Sequence, residues 1–177
     1  MTVSSIESVC NSVIAAGRIH IADVLSLRRA LLALGALGAG DARRLFDLAR
    51  ADLPACAQWG EFFVEALCEH IIDERAPHGD LSADKAAWLA EMIEAHPLND
   101  ALAFELIAAA MRKASACPSS LMICVLHRLE ALASRAAGSG GEALEENLEV
   151  ARRALKTAGL AGRMYTPRRK TPAALAA

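Results

Sequence analysis

The chain has 177 residues, of which 54% are apolar and 4% aromatic, and its formal net charge is −2 at neutral pH. A chain of this length fits one domain with a sizeable core, and its mildly acidic balance does not indicate a nucleic-acid-binding domain. The longest stretch without Asp, Glu, Lys or Arg, residues 114–127, has 14 residues and contains Pro118. A membrane span requires about 18 or more apolar residues, so we expect none.

Composition and cysteine spacing indicate an all-α, cytoplasmic protein. Alanine, the best helix former, is the most frequent residue, and no long stretch alternates apolar and polar side chains as a strand would. The five cysteines are odd in number, scattered and never spaced C-x-x-C, which is typical of reduced thiols. The first basic residue is Arg18, so no charged region precedes an apolar one, and we expect no signal peptide.

Three helices are predicted in the first third of the chain. Residues 3–16 are weakly periodic, residues 21–34 carry a clear stripe, and residues 41–51 place charged side chains opposite apolar ones. Pro54 then separates this group from the next helix. The stripe of the second helix has the 3, 4, 3 spacing of one helical face: Val24, Leu27, Leu31 and Leu34.

A central helix, residues 59–75, is expected to organise the core. Its apolar side chains recur on one helical face and include three of the seven aromatic residues: Trp59, Phe62, Phe63, Ala66, Leu67 and Ile71. The other face carries four carboxylates at steps of four residues: Glu61, Glu65, Glu69 and Asp73. They are weak candidates for a metal site, because a helical di-iron site would also need Glu-x-x-His motifs, which the sequence lacks. A solvated face, or a docking surface for a basic partner, is the favoured interpretation.

Three further helices are predicted between residues 82 and 137. Ser82 is the expected N-cap of the first, which extends to residue 95, and Asn99 or Asp100 caps the second, which extends to residue 114. The third begins at Pro118. The second and third are apolar on nearly every side, so we expect them to lie inside the bundle or to face a partner.

The last part of the chain is predicted to be an appendage to a helical domain of residues 1–137. Residues 138–158 comprise a Gly-Ser-Gly-Gly joint and an amphipathic helix from residue 142. The first half of this helix is acidic and the second half basic, which complements the helix dipole. Residues 159–177 contain two prolines and four positive charges, and we expect a disordered basic tail.

Two glycine turns, at Gly17 and Gly35, share one spacing. Each glycine is followed by an aliphatic residue after two positions and by an acid after six: Ile19 and Asp23, Leu37 and Asp41. These offsets match the turn glycine, the pairing aliphatic residue and the terminal acid of an EF-hand loop. The remaining ligand positions hold mostly aliphatic side chains, which supply no oxygen, so we interpret the repeat as packing geometry and not as a calcium site.

Beyond these turns, the chain resembles the tellurite-resistance B-like helical family and its uncharacterised bacterial relatives over residues 17–115. The resemblance rests on residues in and after the central helix: Trp59, the run 62–67, Pro77, Gly79 and the run 86–89. The predicted helices and the repeated turns favour a bundle of about seven or eight helices, arranged as paired helical hairpins with EF-hand-like turns. The resemblance implies an all-α, cytoplasmic bacterial protein. It also implies a loose connection to metal or oxyanion stress, with acidic residues that take cations.

Two histidines are candidate functional groups. Cys124 and His127 are i, i+3 neighbours, as metal ligands often are, but the absence of a second pair at zinc-like spacing favours packing. His70 is interpreted as a core histidine with a hydrogen-bonded nitrogen, and a pH switch is the less favoured hypothesis.

No catalytic motif is present, since the sequence lacks G-x-S-x-G, a P-loop, G-x-G-x-x-G and H-E-x-x-H. We therefore expect a non-enzymatic protein without a cofactor or resident metal, which contacts a protein partner or associates with itself. The alternatives are a cation- or oxyanion-responsive stress protein and, less favoured, an enzyme with paired carboxylates. The candidate interaction residues lie on the last two predicted helices: Leu121, Met122, Val125, Leu126, Leu144 and Leu148.

Overall fold

The computed structural model describes residues 5–72, 79, 81–95, 98–114 and 119–138. Seven α-helices account for most of these residues: α1 (Ile6–Ala16), α2 (Ile21–Leu34), α3 (Ala39–Arg50), α4 (Gln58–Ile71), α5 (Ala83–Ala95), α6 (Asp100–Lys113) and α7 (Ser119–Gly138). The prediction of an all-α, multi-helix fold is confirmed. The paired hairpins and the EF-hand-like turns stay predictions, as does the division of the chain after residue 137.

Two helices begin where the sequence predicts, each after a capping residue. The hydroxyl of Ser82 accepts a hydrogen bond from the amide of Lys85 at 3.3 Å, just before α5. The side-chain oxygen of Asn99 accepts one from the amide of Ala101 at 2.9 Å, at the start of α6. Because the first amides of a helix have no partner within the helix, these acceptors favour a helix start at these positions.

The central helix α4 is shorter than the sequence predicts. It ends at Ile71 and not at residue 75, because Ile72 has an extended backbone with φ −101° and ψ 123°. The side chain of Ile72 is buried in the core. If the helix continued through Ile72, this side chain would point in another direction and lose its apolar contact. Of the four predicted carboxylates, Asp73 lies outside the described residues.

The core is built around α4, which packs against α2, α3, α5 and α6. Phe63 of α4 contacts Phe46 of α3 edge-on, with ring centroids 5.4 Å apart. Phe46 also contacts Trp88 of α5 at 6.0 Å. These large side chains join three helices at one place, and α1 completes this half of the bundle by packing on α2 and α3.

The last three helices alternate in direction, so that α5 and α7 run the same way and α6 runs back. Gly79, just before α5, lies so close to the end of α6 that an added Cβ would be 2.6 Å from the carbonyl oxygen of Lys113. At the opposite end, Arg128 of α7 contacts both Ile93 near the end of α5 and Asp100 at the start of α6. Eight of the 14 residues of α6 are buried, which confirms its predicted interior position.

The two glycine turns end α1 and α2, and each glycine has a left-handed backbone, with φ +70° at Gly17 and +75° at Gly35. Ile19 pairs with the segment before α4 and not with the second glycine turn. Its amide donates to the carbonyl of Pro54 at 2.9 Å, and its carbonyl accepts from the amide of Cys56 at 3.0 Å. The first turn is therefore tied to the chain that leads into the central helix.

Candidate interaction surfaces

The acidic face of α4 lies in solvent, and one of its members forms an ion pair. Glu61, Glu65 and Glu69 are exposed. Oε2 of Glu65 lies 2.6 Å from Nη1 of Arg28 in α2. Within the part of the chain that the structure describes, no three His, Cys, Asp or Glu side chains converge as a metal site would require. Asp23, the terminal acid of the first glycine turn, accepts a hydrogen bond from the amide of His20 at 2.8 Å.

Cys124 and His127 lie one turn apart on α7 but differ in exposure. Cys124 is completely buried, and burial raises the pKa of its thiol to about 11, so that it stays protonated at neutral pH. His127 is exposed, and its Nδ1 lies 3.1 Å from Oε1 of Glu94 in α5. A buried, protonated thiol is a poor metal ligand, and His127 instead links α7 to α5 through Glu94.

His70 connects α4 to the second glycine turn. Its Nδ1 donates a hydrogen bond to the carbonyl of Leu37 at 2.7 Å, because a carbonyl oxygen only accepts. Its ring packs edge-on against Trp88 with centroids 5.3 Å apart, and its own carbonyl accepts from Nζ of Lys85 at 3.0 Å. The predicted hydrogen bond of a ring nitrogen is confirmed, but His70 is only partly buried and lies at the edge of the core.

Four of the six predicted interaction residues are described, all of them on α7. Leu121 and Val125 are buried in the core, Met122 packs against the core, and Leu126 is about half exposed. Leu126 is thus the member of this group with the most surface available for a partner. The other two lie outside the described residues: Leu144 and Leu148.

A further apolar stripe lies on the outer face of α2. Ile21, Leu25 and Leu32 are 52%, 48% and 81% exposed. At about 100° per residue these three side chains fall within an arc of roughly 40°. The side of the helix that faces the core buries Val24, Leu27 and Ala30. The sequence contains the signal, because α2 is apolar on two sides, but periodicity alone does not tell which side the rest of the chain covers.

Arg28 lies on the same stripe, between Leu25 and Leu32. Its guanidinium carbon is 5.4 Å from the centroid of the Phe62 ring, and the same group forms the ion pair with Glu65. Both contacts hold the positive charge against α4. The charge on the stripe is therefore neutralised within the chain.

A shallow groove of about 610 Å³ lies between α5 and α7. Ala87, Ala90 and Ile123 contribute apolar lining, and Glu91 and Glu94 lie along its α5 side. Small side chains such as alanine let a neighbouring helix approach closely. The groove therefore combines apolar surface with acidic side chains along one edge.

No protein-family model, curated protein or solved structure matches the chain. The resemblance to the tellurite-resistance B-like family therefore stays a prediction. Among the described helices, none combines the length and the apolar character that crossing a membrane requires.

Proposed function

We propose that this protein is a non-enzymatic helical module that acts through protein–protein contact, and that the contact is self-association through the outer face of α2. The observation that carries the proposal is the exposure of three large aliphatic side chains, Ile21, Leu25 and Leu32, in one narrow stripe. Exposed apolar side chains are common singly, but a stripe of this kind marks an interaction surface.

The spacing of the stripe suits pairing with a second copy. Ile21, Leu25, Arg28 and Leu32 are separated by 4, 3 and 4 residues, which is the spacing of a helix–helix seam. In an antiparallel pair of α2 helices, a two-fold axis near residue 26 places Ile21 opposite Leu32 and Leu25 opposite the aliphatic part of Arg28. Such self-complementarity is what a symmetric dimer requires.

Electrostatics favour a second copy over an acidic partner. The guanidinium of Arg28 is already neutralised by Glu65 of its own chain, 2.6 Å away. When two copies pair through this stripe, each Arg28 is already paired with its own Glu65, so the two Arg28 charges do not repel each other strongly. One helix from each subunit covers less than the roughly 1,200 Å² of a typical stable interface, so the dimer is expected to be weak and concentration-dependent.

Sedimentation equilibrium over a range of micromolar to millimolar concentrations tests this function. The wild type is expected to dimerise reversibly, and Leu25→Glu or Leu32→Glu is expected to leave only monomer. Leu34→Glu is the matched control, because Leu34 is a similarly exposed leucine of the same helix on roughly the opposite side from Leu32. A wild type that stays monomeric throughout, or an equal effect of Leu34→Glu, contradicts the proposal.

The alternative, a cation- or oxyanion-responsive stress protein, draws on the acidic face of α4. Its support is the exposure of Glu61, Glu65 and Glu69 on one side of that helix. The ion pair of Glu65 with Arg28 competes with a bound cation. Calorimetric titration with calcium, zinc and manganese distinguishes the two functions, and an absence of heat with all three cations removes this alternative.

A further inference from the structure

The groove between α5 and α7 has apolar lining and acidic side chains along one side. Ala87, Ala90 and Ile123 supply apolar surface, and Leu126 is exposed one turn further along α7. Glu91 and Glu94 are both exposed on the α5 side. An occupant that matches this groove is a helix with an apolar stripe and positive charges on the flank that faces α5.

The course of α7 carries the chain past the end of this groove. His127 lies beside Glu94, near the end of α5, and α7 continues from there for eleven residues to Gly138. At about 1.5 Å per residue it extends roughly 16 Å past this contact. Residues 138–141 are Gly-Ser-Gly-Gly, which permits a tight reversal of direction.

Residues 142–158, which lie outside the described part of the chain, have the composition that the groove requires. Their sequence places aliphatic residues on one helical face and basic residues on its flank. The flank contains Arg152 and Lys156, one helical turn apart. The apolar face consists of five residues: Leu144, Leu148, Ala151, Leu155 and Ala158.

We propose that residues 142–158 form a helix that folds back along α7 and fills the α5–α7 groove of the same chain. In a helical hairpin that turns at residues 138–141, residue 142 lies level with residue 138 and the two helices then run in opposite directions. Arg152 is consequently level with residue 128, next to the Glu94–His127 contact. Lys156 is one turn further, level with residue 124, where Glu91 lies across the groove.

The charge match has the correct spacing as well as the correct sign. Glu91 and Glu94 are separated by one turn of α5, and Arg152 and Lys156 by one turn of the proposed helix. The proposed helix runs antiparallel to α5, so the two pairs meet in register. In this arrangement Ile123 and Leu126 of α7 are covered within the chain, and the stripe on α2 is left as the surface for a second copy.

Hydrogen exchange of the full chain, followed by mass spectrometry, tests the proposal. The amides of residues 150–158 are expected to exchange at least about tenfold more slowly in the wild type than in Leu155→Asp, because a docked helix opens less often than a free one. Glu91→Lys combined with Glu94→Lys is expected to accelerate the same amides. Adding Arg152→Glu and Lys156→Glu to that variant is expected to restore slow exchange.

Two further measurements make the outcome decisive. Arg153→Glu is the matched control, because Arg153 lies on roughly the opposite side of the proposed helix from Leu155 and its charge reversal is expected to change nothing. Protection is also measured at two protein concentrations, since docking within one chain does not depend on concentration. Fast exchange of residues 150–158 in the wild type overturns the proposal, as does an equal effect of Arg153→Glu or protection that disappears on dilution.

Discussion

Nη1 of Arg128, in α7, lies 2.5 Å from Oδ1 of Asp100, the first residue of α6, and the two side chains are only 12% and 18% exposed. The same guanidinium donates from Nη2 to the carbonyl of Ile93 at 3.0 Å, near the end of α5. The last carbonyls of a helix have no partner within the helix, and a positive charge there also complements the helix dipole. One cation therefore holds three helix segments together.

We predict that Arg128→Ala lowers the free energy of unfolding by about 2–4 kcal/mol, because it leaves the Asp100 carboxylate and the Ile93 carbonyl without this donor. Arg128→Lys is expected to recover only part of the loss, since an ammonium group does not reproduce the planar fork. Urea denaturation measures both variants. The control is Arg44→Ala, whose partner Glu7 is 2.7 Å away with both side chains about half exposed. That change is expected to cost about 0–1 kcal/mol, and a similar loss in both variants contradicts the prediction.

The aromatic contact among α3, α4 and α5 gives a second prediction. Phe46 is completely buried and touches both Phe63 and Trp88, so Phe46→Ala is expected to cost about 3–5 kcal/mol of unfolding free energy. Phe46→Leu keeps most of the volume and is expected to cost less. Guanidinium denaturation followed by tryptophan fluorescence measures the loss. Leu32→Ala, at an 81% exposed position, is expected to stay within about 0.5 kcal/mol of the wild type.

Two glycines are expected to respond to alanine in opposite directions. Gly79 has φ +62°, and a Cβ there would meet the carbonyl oxygen of Lys113 at 2.6 Å, so Gly79→Ala is expected to destabilise the protein by at least about 1 kcal/mol. Gly40 lies in the first turn of α3 with nothing within 4 Å of an added Cβ. Gly40→Ala is expected to stabilise by about 0.4–1 kcal/mol, because the unfolded chain loses freedom. Thermal unfolding measures the change in melting temperature of both variants, and a change in the same direction for both contradicts the prediction.

Buried thiols make stability depend on pH in the alkaline range. Burial raises the pKa of Cys10, Cys68 and Cys124 from 9.0 to about 11. Because the pKa is raised, the native state keeps these protons up to a higher pH than the unfolded state does. The contribution of the protonated thiols to the free energy of unfolding is therefore complete below pH 9 and is lost as pH rises toward 11. The free energy of unfolding is expected to fall by about 1 kcal/mol for each thiol between pH 9 and pH 10.

Urea titrations at pH 7.5, 9 and 10 measure this loss. The comparison is with a variant in which the three buried cysteines are alanine, because lysine and tyrosine titrate equally in both proteins. The variant is expected to be less stable at every pH but to lose less stability between pH 9 and pH 10. Equal slopes for the two proteins contradict the assignment to the thiols.

The positions of helices were predictable where the responsible signals are local. Val24 and Leu27 define one face of α2, and the bounds of that helix agree with the prediction. Ser82 and Asn99 cap the helices that follow them, since a cap needs only an acceptor near the first amides. The end of α4 was predicted four residues too late, because the conformation of Ile72 follows from a tertiary apolar contact and not from a local stop signal.

The candidate surfaces were predictable only in part. The apolar character of α7 indicated an interaction helix, but its sequence did not separate the buried Leu121 from the exposed Leu126. Similarly, α2 offers two apolar sides, and only the packing of Val24 on the rest of the chain leaves Leu25 exposed. Which of two equivalent stripes is covered depends on the rotation of each helix about its axis.

The sequence by itself determined the class of fold, the approximate helices and their caps, because periodicity and hydrogen bonding within a few residues fix these features. Only the tertiary structure decided that Arg128 meets Asp100, that His127 meets Glu94 and that Ile19 pairs before α4 and not with the second glycine turn. The residues in these contacts are far apart in the sequence: 28 positions for Arg128 and Asp100, 33 for His127 and Glu94, and 37 for Ile19 and Cys56. Such contacts depend on the directions and rotations of whole helices, which are set by how their buried faces pack together and not by any local pattern of residues.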